Sequence, residues 1–326
     1  MIITRTPLRI TLGGGGTDLP SYYERFGGLV ISAAIDKHIY ISSNATFTPD
    51  YFLKYSALER VEHAADIDHP IMREVLLSHD IEPSVEIVSM ADIPSGTGLG
   101  SSGSFTVGLL QAMYAMKRDH VGAAEVAAEA CRIEIERLGR PVGKQDQYVA
   151  AFGGLKIYHF EPDGHVRVSP LRVSDATFHD LEEHLLMFFT GYSRAADKVL
   201  EEQRTKSTAG DAAMIDNLHY VKKLGLRTQV ALENGDCEGF AALMHEHWEH
   251  KKKRSTAMSN PNIDRWYDAG RENGALGGKL VGAGAGGFLL FYTREPGRLR
   301  GAMGAEGLAE VRFSFDNSGS VVLVRS

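Results

Sequence analysis

A run of glycine and serine at residues 92–104 has the residue types that a phosphate-binding loop needs. It reads D-I-P-S-G-T-G-L-G-S-S-G-S and separates a strand-like V-E-I-V-S from a long apolar helical segment. Its glycines allow positive φ angles and a close approach of the backbone to a ligand. Ser101 and Ser102 begin the helix, where free N–H groups and the helix dipole favour an anion. Turns and tight helix entries also use glycine, so this run alone leaves both interpretations open.

The run follows neither of the common nucleotide-binding patterns. G-x-x-x-x-G-K-[ST] fails because no lysine lies between Pro94 and Lys117, and G-x-G-x-x-G fails because Ser101 replaces the third glycine. The run resembles instead the second motif of the GHMP small-molecule kinases, P-x-G-x-G-L-G-S-S. The resemblance implies ATP as the phosphate donor. It implies the following phosphate-binding residues: Pro94, Gly96, Thr97, Gly98, Leu99, Gly100, Ser101 and Ser102.

Two glutamates near the end of a predicted helix, residues 123–138, are candidates for a metal ligand. Glu134 and Glu136 are two residues apart and point in different directions, so at most one faces a site. Most glutamates in such helices are solvated charges. In the GHMP kinases a glutamate shortly before a segment like G-R-P-V-G-K-Q-D-Q ligates magnesium. The resemblance therefore implies that Glu134, together with Ser102, binds Mg²⁺.

Asp146, the aspartate of that same segment, is the candidate catalytic base. An aspartate at a helix N-terminus is also stabilised by the helix dipole, and that interpretation stays open. In the enzymes that this chain resembles, the aspartate faces the acceptor hydroxyl. Phosphoryl transfer needs a positioned hydroxyl and a group that accepts its proton. The resemblance implies that Asp146 has this role and that Arg9 stabilises both its ionised form and the transferring group.

Four consecutive glycines at residues 13–16 precede Thr17 and Asp18. They indicate either a long turn or a wall that faces a substrate. The segment T-P-L-R-I-T-L-G-G-G-G-T-D-L-P resembles the first GHMP motif of galactokinases, with Arg9 and Asp18 carried over. Gly-Glu-His, which precedes Thr-Asp in galactokinases, is replaced by glycines, so galactose is not the expected substrate. The predicted sugar-binding residues are Gly15, Gly16, Thr17 and Asp18.

A basic run at residues 251–254, K-K-K-R, is either a solvated face or a site for an anionic group on the substrate. Because the glycine wall lacks polar side chains that could orient a neutral sugar, we expect the sugar to carry a phosphate already. The predicted phosphate-binding residues are Arg194, Lys252 and Arg254. The sequence leaves open which of the five cations, Arg194 and the four of residues 251–254, reaches the site.

A second glycine-rich stretch, residues 278–287, satisfies G-x-G-x-x-G literally, but F-L-L-F-Y follows it and predicts a strand, not a helix. It resembles the third GHMP motif. Its glycines would let a hairpin pack closely against the phosphate loop and support it.

The elements that must position these residues indicate an α+β protein. The resemblance implies a two-domain GHMP kinase fold. Residues 1–165 form the nucleotide-binding domain, with a mixed sheet and helices, and residues 166–326 form a ferredoxin-like α+β domain. Residues 104–116 are too densely apolar for a surface helix and predict one that is buried against a sheet. A hairpin is predicted through residues 35–37, and late strands at residues 311–315 and 321–324.

Composition restricts the class of function. A formal net charge of −7 provides no basic surface for nucleic acid or an anionic membrane, which favours small-molecule partners. Cys131 and Cys237 lack C-x-x-C spacing and residues 1–11 lack the apolar core of a signal peptide, so we expect a cytoplasmic protein. No apolar run approaches the ~20 residues of a membrane span. A homodimer is left open.

Taken together, the motifs most resemble those of the D-glycero-D-manno-heptose 7-phosphate kinase branch. The resemblance implies phosphorylation of the anomeric hydroxyl, giving heptose 1,7-bisphosphate for a surface polysaccharide. The alternatives are a kinase for a neutral sugar such as fucose or galactose, a non-catalytic sugar-binding relative, and, less favoured, a dinucleotide-dependent oxidoreductase.

Overall fold

The computed structural model describes residues 1–191 and 196–326, which form two β-sheets and the helices packed on them. The strands are β1 Ile2–Gly13, β2 Gly28–Ala45, β3 Tyr51–Lys54, β4 Leu58–Val61, β5 Val85–Ala91, β6 Leu155–Phe160, β7 Val166–Pro170, β8 Leu185–Gly191, β9 Ala275–Leu280, β10 Gly287–Thr293, β11 Ala309–Glu310 and β12 Val321–Arg325. The α-helices are α1 Pro20–Phe26, α2 Pro70–Ser78, α3 Ser101–Lys117, α4 Ala123–Cys131, α5 Gln145–Phe152, α6 Asp175–His184, α7 Ala196–Thr208, α8 Ala212–Glu233, α9 Cys237–Lys252, α10 Pro261–Glu272 and α11 Pro296–Ala305. Among these described residues, no helix is both long enough and apolar enough to cross a membrane.

The first sheet is mixed, as predicted. Its strand order is β12-β1-β2-β5-β3-β4, with β6 paired to β2 and β7 paired to β6. β3 runs parallel to β5, whereas β1 and β2 are antiparallel to each other. α3 packs on β1 and β2, and most of its residues are buried, so the central buried helix is also confirmed.

β2 is one long strand, so the predicted hairpin through residues 35–37 is wrong. β2 pairs with β1 on both sides of this point, and the register shifts between Pro7 and Leu8. The extra residues of β2 form a bulge, which bends a strand without reversing it. The amide of Asp36 donates to the carbonyl oxygen of Ser314 at 2.9 Å, so a distant segment satisfies the bulge.

The second sheet is antiparallel, in the order β11-β8-β10-β9, and α9 packs on β9. The predicted strand at residues 311–315 is wrong, because the strand in this region is β11, Ala309–Glu310. Phe315 instead forms an isolated bridge with Ile35 of β2. Phe313 and Phe315 pack in the core that contains the β1 and β2 side chains, so the chain leaves the second sheet after β11. The α+β class is confirmed.

Residue 165 does not mark the boundary between the strands of the two sheets. β7 and β12 both follow that residue and belong to the first sheet. β12 pairs with the start of β1, with Ile2 opposite Arg325. The division into domains at residues 1–165 and 166–326 therefore stays a prediction, while the first sheet draws on both.

Candidate active site

A cavity of about 1000 Å³ is lined by residues of both sheets and of α3, α5 and α9. It brings together most of the residues predicted for the site. Those that line it are Arg9, Gly15, Gly16, Asp18, Gly96, Gly98, Gly100, Ser101, Ser102, Asp146 and Arg254. Thr17, Pro94, Thr97, Leu99, Glu134 and Lys252 are not among its lining residues, and Arg194 lies outside the described residues.

The phosphate loop exposes its glycines to the cavity and buries the residues between them. Gly98 and Gly100 have φ angles of 84° and 78°, in the left-handed region that glycine adopts without strain. Gly100 is the N-cap of α3 and offers no side chain to the first-turn amides. Those amides are therefore available to an anion. Leu99 is fully buried, and the Thr97 hydroxyl donates to the carbonyl oxygen of Pro94 at 3.0 Å.

The loop that joins β9 to β10 packs directly on the phosphate loop. A Cβ added to Gly282 would lie 2.4 Å from Cα of Gly98, and one added to Gly287 would lie 2.1 Å from the carbonyl oxygen of Thr97. Neither position has room for a side chain. This close packing agrees with the predicted supporting role of residues 278–287.

Arg9 and Asp146 form an ion pair at the N-terminal end of α3. Nε and Nη2 of Arg9 both lie 2.8 Å from Oδ1 of Asp146, and Nη1 donates to the carbonyl oxygen of Gly98 at 2.6 Å. Arg9 is 6% exposed, so it is held between the phosphate loop and α5. No donor among the described residues binds Oδ2 of Asp146, which leaves that oxygen available to accept a proton.

Glu134 lies behind the phosphate loop and is completely buried. The Ser102 hydroxyl donates to Oε2, Arg140 also donates to Oε2 at 2.9 Å, and Gln147 donates to Oε1 at 2.9 Å. Burial raises the pKa of Glu134, while the hydrogen bond from Ser102 and the charge of Arg140 oppose this rise. Glu136 is exposed. Of the two glutamates, Glu134 is therefore the one that contacts the phosphate loop, through Ser102.

The segment that carries Glu134 is π-helical, Arg132–Arg137, and continues directly from α4. A π-helical turn inside a helix often marks a functional position, because it rotates the following side chains relative to a regular helix. Ser102 and Glu134 offer two hard oxygen ligands, the kind that Mg²⁺ takes together with phosphate oxygens and water. Two such ligands would hold the ion only together with oxygens from a nucleotide or from water. Within residues 1–191 and 196–326, no group of three or more histidine, cysteine, aspartate or glutamate side chains could hold a metal.

The glycine wall presents Gly15, Gly16 and Asp18 to the cavity, but not Thr17. The Thr17 hydroxyl is buried and shares its proton between the carbonyl oxygens of Gly14 and Leu29, 2.8 and 2.9 Å away, so it holds the turn. Asp18 accepts the Gly16 amide at 3.1 Å. Burial and the negative charge of Asp146 raise the pKa of Asp18.

The side chains of the basic run at residues 251–254 do not all face the cavity. Arg254 and Lys251 are buried and line the cavity. Lys252 instead pairs with Glu249 at 2.8 Å. The structure therefore does not support the prediction that Lys252 contacts the substrate. On a helix, adjacent residues point in directions about 100° apart, which explains why only one of two neighbouring lysines turns inward.

Sequence reasoning missed His247 and Lys279, which also line the cavity. The sequence contains only weak signals for these two residues. His247 is four residues before Lys251, so both side chains lie on one face of α9. Lys279 is a charged residue in a strand whose neighbours are otherwise glycine and leucine, and it is 2% exposed.

The end of the cavity formed by residues near α2 is aromatic. Tyr55, His69 and Phe105 line it, with ring centroids 4.8 Å apart for Tyr55 and His69 and 5.0 Å apart for His69 and Phe105. Burial lowers the pKa of His69, which favours its neutral form. Such a surface can stack against a planar heterocycle.

Comparison with known proteins gives two family matches. Residues 56–154 match the family described as GHMP kinases N terminal domain, and residues 228–308 match GHMP kinases C terminal. The chain is 32% identical to the D-glycero-alpha-D-manno-heptose 7-phosphate kinase of Campylobacter jejuni, over 98% of this chain and 97% of that protein.

Two further relatives are more distant. The crystal structure of a D-glycero-D-manno-heptose 1-phosphate kinase from Bacteroides thetaiotaomicron is 26% identical, with a TM-score of 0.81, and the match covers 99% of each chain. The L-fucokinase/L-fucose-1-P guanylyltransferase of Bacteroides fragilis is 26% identical over 90% of this chain, which spans 34% of that longer protein.

Proposed function

From the premise that this chain belongs to the GHMP kinase family, we propose that it transfers the γ-phosphate of ATP to the anomeric hydroxyl of D-glycero-D-manno-heptose 7-phosphate. The chain is an ATP-dependent sugar kinase, and its relatives support a heptose phosphate as the sugar. The product of the proposed reaction is heptose 1,7-bisphosphate. In this proposal the product serves the synthesis of a surface polysaccharide such as capsule, lipopolysaccharide or S-layer glycan.

The strongest structural support is the proximity of the ion pair of Arg9 and Asp146 to the phosphate loop. A Cβ added to Gly100 would lie 3.2 Å from the carboxyl carbon of Asp146. A phosphate bound at the start of α3 would therefore lie beside a carboxylate with one unoccupied oxygen. Positioning a hydroxyl next to a phosphoryl group and accepting its proton is the main task of such an enzyme.

In the proposed reaction, the amides at the start of α3 bind the phosphates of ATP. Oδ2 of Asp146 accepts the proton of the sugar hydroxyl while the new O–P bond forms and ADP leaves. Arg9 keeps Asp146 oriented through Oδ1 and stabilises negative charge on the transferring group. Asp18 and the carbonyl groups of the glycine wall contact the sugar hydroxyls. The aromatic end of the cavity holds the base.

Magnesium is part of this proposal. Ser102 and Glu134 would hold the ion, which neutralises charge on the phosphate oxygens when it is bound. Arg140 donates to the same carboxylate oxygen of Glu134 as Ser102 does, so the guanidinium would have to share Glu134 with the ion.

A kinase for a neutral sugar is the second candidate. The match to an L-fucokinase over most of this chain favours it. The two candidates differ in whether the sugar must carry a phosphate before it binds.

The test is ADP formation from ATP and magnesium with D-glycero-D-manno-heptose 7-phosphate, the free heptose, L-fucose and D-galactose. We expect the phosphorylated heptose to give the highest kcat/KM. Phosphorus NMR of the product should show two phosphate signals, one coupled to the anomeric proton. A higher kcat/KM with fucose would replace the proposal with the second candidate. No ADP with any sugar would favour a binding protein.

A further inference from the structure

Four groups that can be cationic lie together on one wall of the cavity. We call His247, Lys251, Arg254 and Lys279 the inner basic cluster. Their exposed fractions are 4%, 7%, 4% and 2%, so all four are buried. In the described part of the chain, none of them has a carboxylate within ion-pair distance. Charged groups are rarely buried without a partner, because removing them from water is costly.

Backbone carbonyl oxygens accept hydrogen bonds from the two lysines, whereas one nitrogen of Arg254 and one of His247 have no partner within residues 1–191 and 196–326. Lys251 donates to the carbonyl oxygens of Leu280 and Gly282 at 2.9 and 2.5 Å, and Lys279 donates to that of Leu12 at 3.2 Å. Nη2 of Arg254 and Nε2 of His247 are buried and have no hydrogen-bond partner among the described residues. Buried polar atoms without partners call for an explanation, and the residues that carry these two line a cavity that a ligand can fill.

Arg254 also connects the cluster to the sugar-facing wall. Its Nη1 donates to the carbonyl oxygen of Gly15 at 3.1 Å, and its Nε donates to Oδ1 of Asn217 at 2.9 Å. A Cβ added to Gly16 would lie 2.5 Å from Nη1 of Arg254. The glycine at this position therefore allows the guanidinium to reach the wall. The cluster borders the space next to Gly15 and Gly16, and Lys251 also contacts Gly282, whose loop packs on Gly98 of the phosphate loop.

We propose that the inner basic cluster binds the phosphate that the sugar substrate already carries. The proposal rests on the proposed function and adds the site that selects a phosphorylated sugar. A phosphate monoester carries about −1.5 to −2 charges at neutral pH and accepts several charge-assisted hydrogen bonds. The buried guanidinium and the two lysines match that charge, and Nη2 of Arg254 is already free to donate.

The electrostatics of the cavity support an anion at this place. Burial and the nearby charges of Arg254 and Arg9 lower the pKa of Lys279 to about 7. Burial and the charges of Lys279, Arg254 and Arg9 lower the pKa of Lys251 well below its usual range. An anion would relieve this repulsion and raise both values.

The sign of the pH dependence follows from these shifts. The groups that face Lys279 are Arg9 from β1, His247 and Lys251 from α9, and Arg254 after α9, with Asp18 acting on Arg254. Above pH 7, Lys279 in the free protein loses its proton, and binding a phosphate must restore it. The affinity for a phosphorylated sugar should therefore fall as pH rises above about 7, by up to roughly tenfold per pH unit. Lys279→Arg, which stays charged, should reduce this decline, and the part that comes from Lys251, whose pKa is also lowered, should remain.

The decisive measurement is a ratio, kcat/KM for heptose 7-phosphate divided by kcat/KM for the free heptose. We expect Lys279→Met and Lys251→Met each to lower this ratio by about tenfold or more, the scale of one charge-assisted hydrogen bond. Lys252→Met is the matched control, since Lys252 is the neighbouring lysine, paired with Glu249, and does not line the cavity. It should keep the parent ratio. If both substrates lose kcat/KM by the same factor, the cluster acts on the transferring phosphate or on folding, and the proposal is overturned.

A second measurement separates this proposal from the proposed function. Inorganic phosphate is added to the parent and to Lys279→Met with the non-hydrolysable ATP analogue AMP-PNP in the nucleotide site, and the Tm is followed. We expect phosphate to raise the Tm of the parent more than that of the variant. This result would support the cluster as a phosphate site even if neither heptose were phosphorylated, which would remove only the proposed substrate. Equal Tm shifts in both proteins would contradict the cluster itself.

Discussion

Replacing Asp146 by asparagine tests the reaction centre, because the structure predicts different effects on binding, folding and turnover. Both contacts from Arg9 use Oδ1 of Asp146. The asparagine oxygen can take the place of Oδ1 and keep these hydrogen bonds, while its amide group takes the place of Oδ2. The position that should accept a proton then holds a donor. The substitution therefore retains the geometry and removes the base.

The expected magnitudes follow from this geometry. Exchanging a charged acceptor for a neutral one should lower the free energy of unfolding by about 1–2 kcal/mol, the difference between the two kinds of hydrogen bond. The Kd for ATP should change by less than about threefold, since the phosphate loop is not altered. We expect kcat to fall by about a hundredfold or more, the usual effect of losing a general base. That loss corresponds to about 2.7 kcal/mol of activation free energy.

The assay combines single-turnover kinetics, ATP titration by calorimetry and thermal unfolding. Asp92→Asn is the control, because Asp92 also accepts a hydrogen bond, from the amide of His38 at 2.9 Å, but does not line the cavity. Its kcat should stay within about twofold of the parent. A kcat for Asp146→Asn within threefold of the parent would refute the assignment of Asp146 as the base. A large loss of ATP affinity would instead indicate a role in holding the phosphate loop.

Two other substitutions test the surroundings of the phosphate loop. Glu134→Gln should raise the magnesium concentration needed for half-maximal activity by about tenfold, the scale of losing one charged ligand. Glu136→Gln, at an exposed position, should leave that concentration unchanged. Superimposable magnesium titrations of Glu134→Gln and the parent would exclude Glu134 as a ligand. Gly282→Ala should weaken ATP binding by about tenfold or more in a calorimetric titration, because its Cβ would lie 2.4 Å from Cα of Gly98. Gly304→Ala, where a Cβ would meet nothing within 4 Å, should bind ATP as the parent does, and equal affinity in both variants would show that the supporting loop is not needed.

The sequence was most informative where chemistry depends on local order. The phosphate loop, α3 and the neighbouring carboxylates are adjacent in sequence or linked by short segments, so a motif can describe them. Helix geometry alone shows that at most one of Glu134 and Glu136 faces the site, but it does not show which one. The π-helical segment that carries Glu134 has no recognisable sequence signature.

The errors came from contacts between distant segments. A hairpin at residues 35–37 is the natural reading of two short apolar runs, but the amide of Asp36 is satisfied by Ser314 and β2 continues. Residues 311–315 have strand character, yet Phe315 packs in the core that contains the β1 and β2 side chains. The strand propensity of a short segment does not depend on such distant contacts, so it cannot predict them.

The basic residues illustrate the same limit within the site. A run of four cations predicts an anion site, but it does not say which side chains turn inward. The helix periodicity selects Lys251 over Lys252 only once another residue of the inner face is known. Lys279 was missed because its importance depends on its position beside His247, 3.4 Å away, and on burial that the sequence does not display.

The pairing of β12 with β1 has a consequence for how the protein is made. β1 is translated first, and its outer edge finds its partner only when Val321–Arg325 leaves the ribosome. At typical synthesis rates this interval is on the order of 15–65 s. During that time the nascent first sheet has an unpaired strand edge, which is prone to join another chain. A message cut short before β12 would encode every residue assigned to ATP binding and would still yield an aggregation-prone polypeptide.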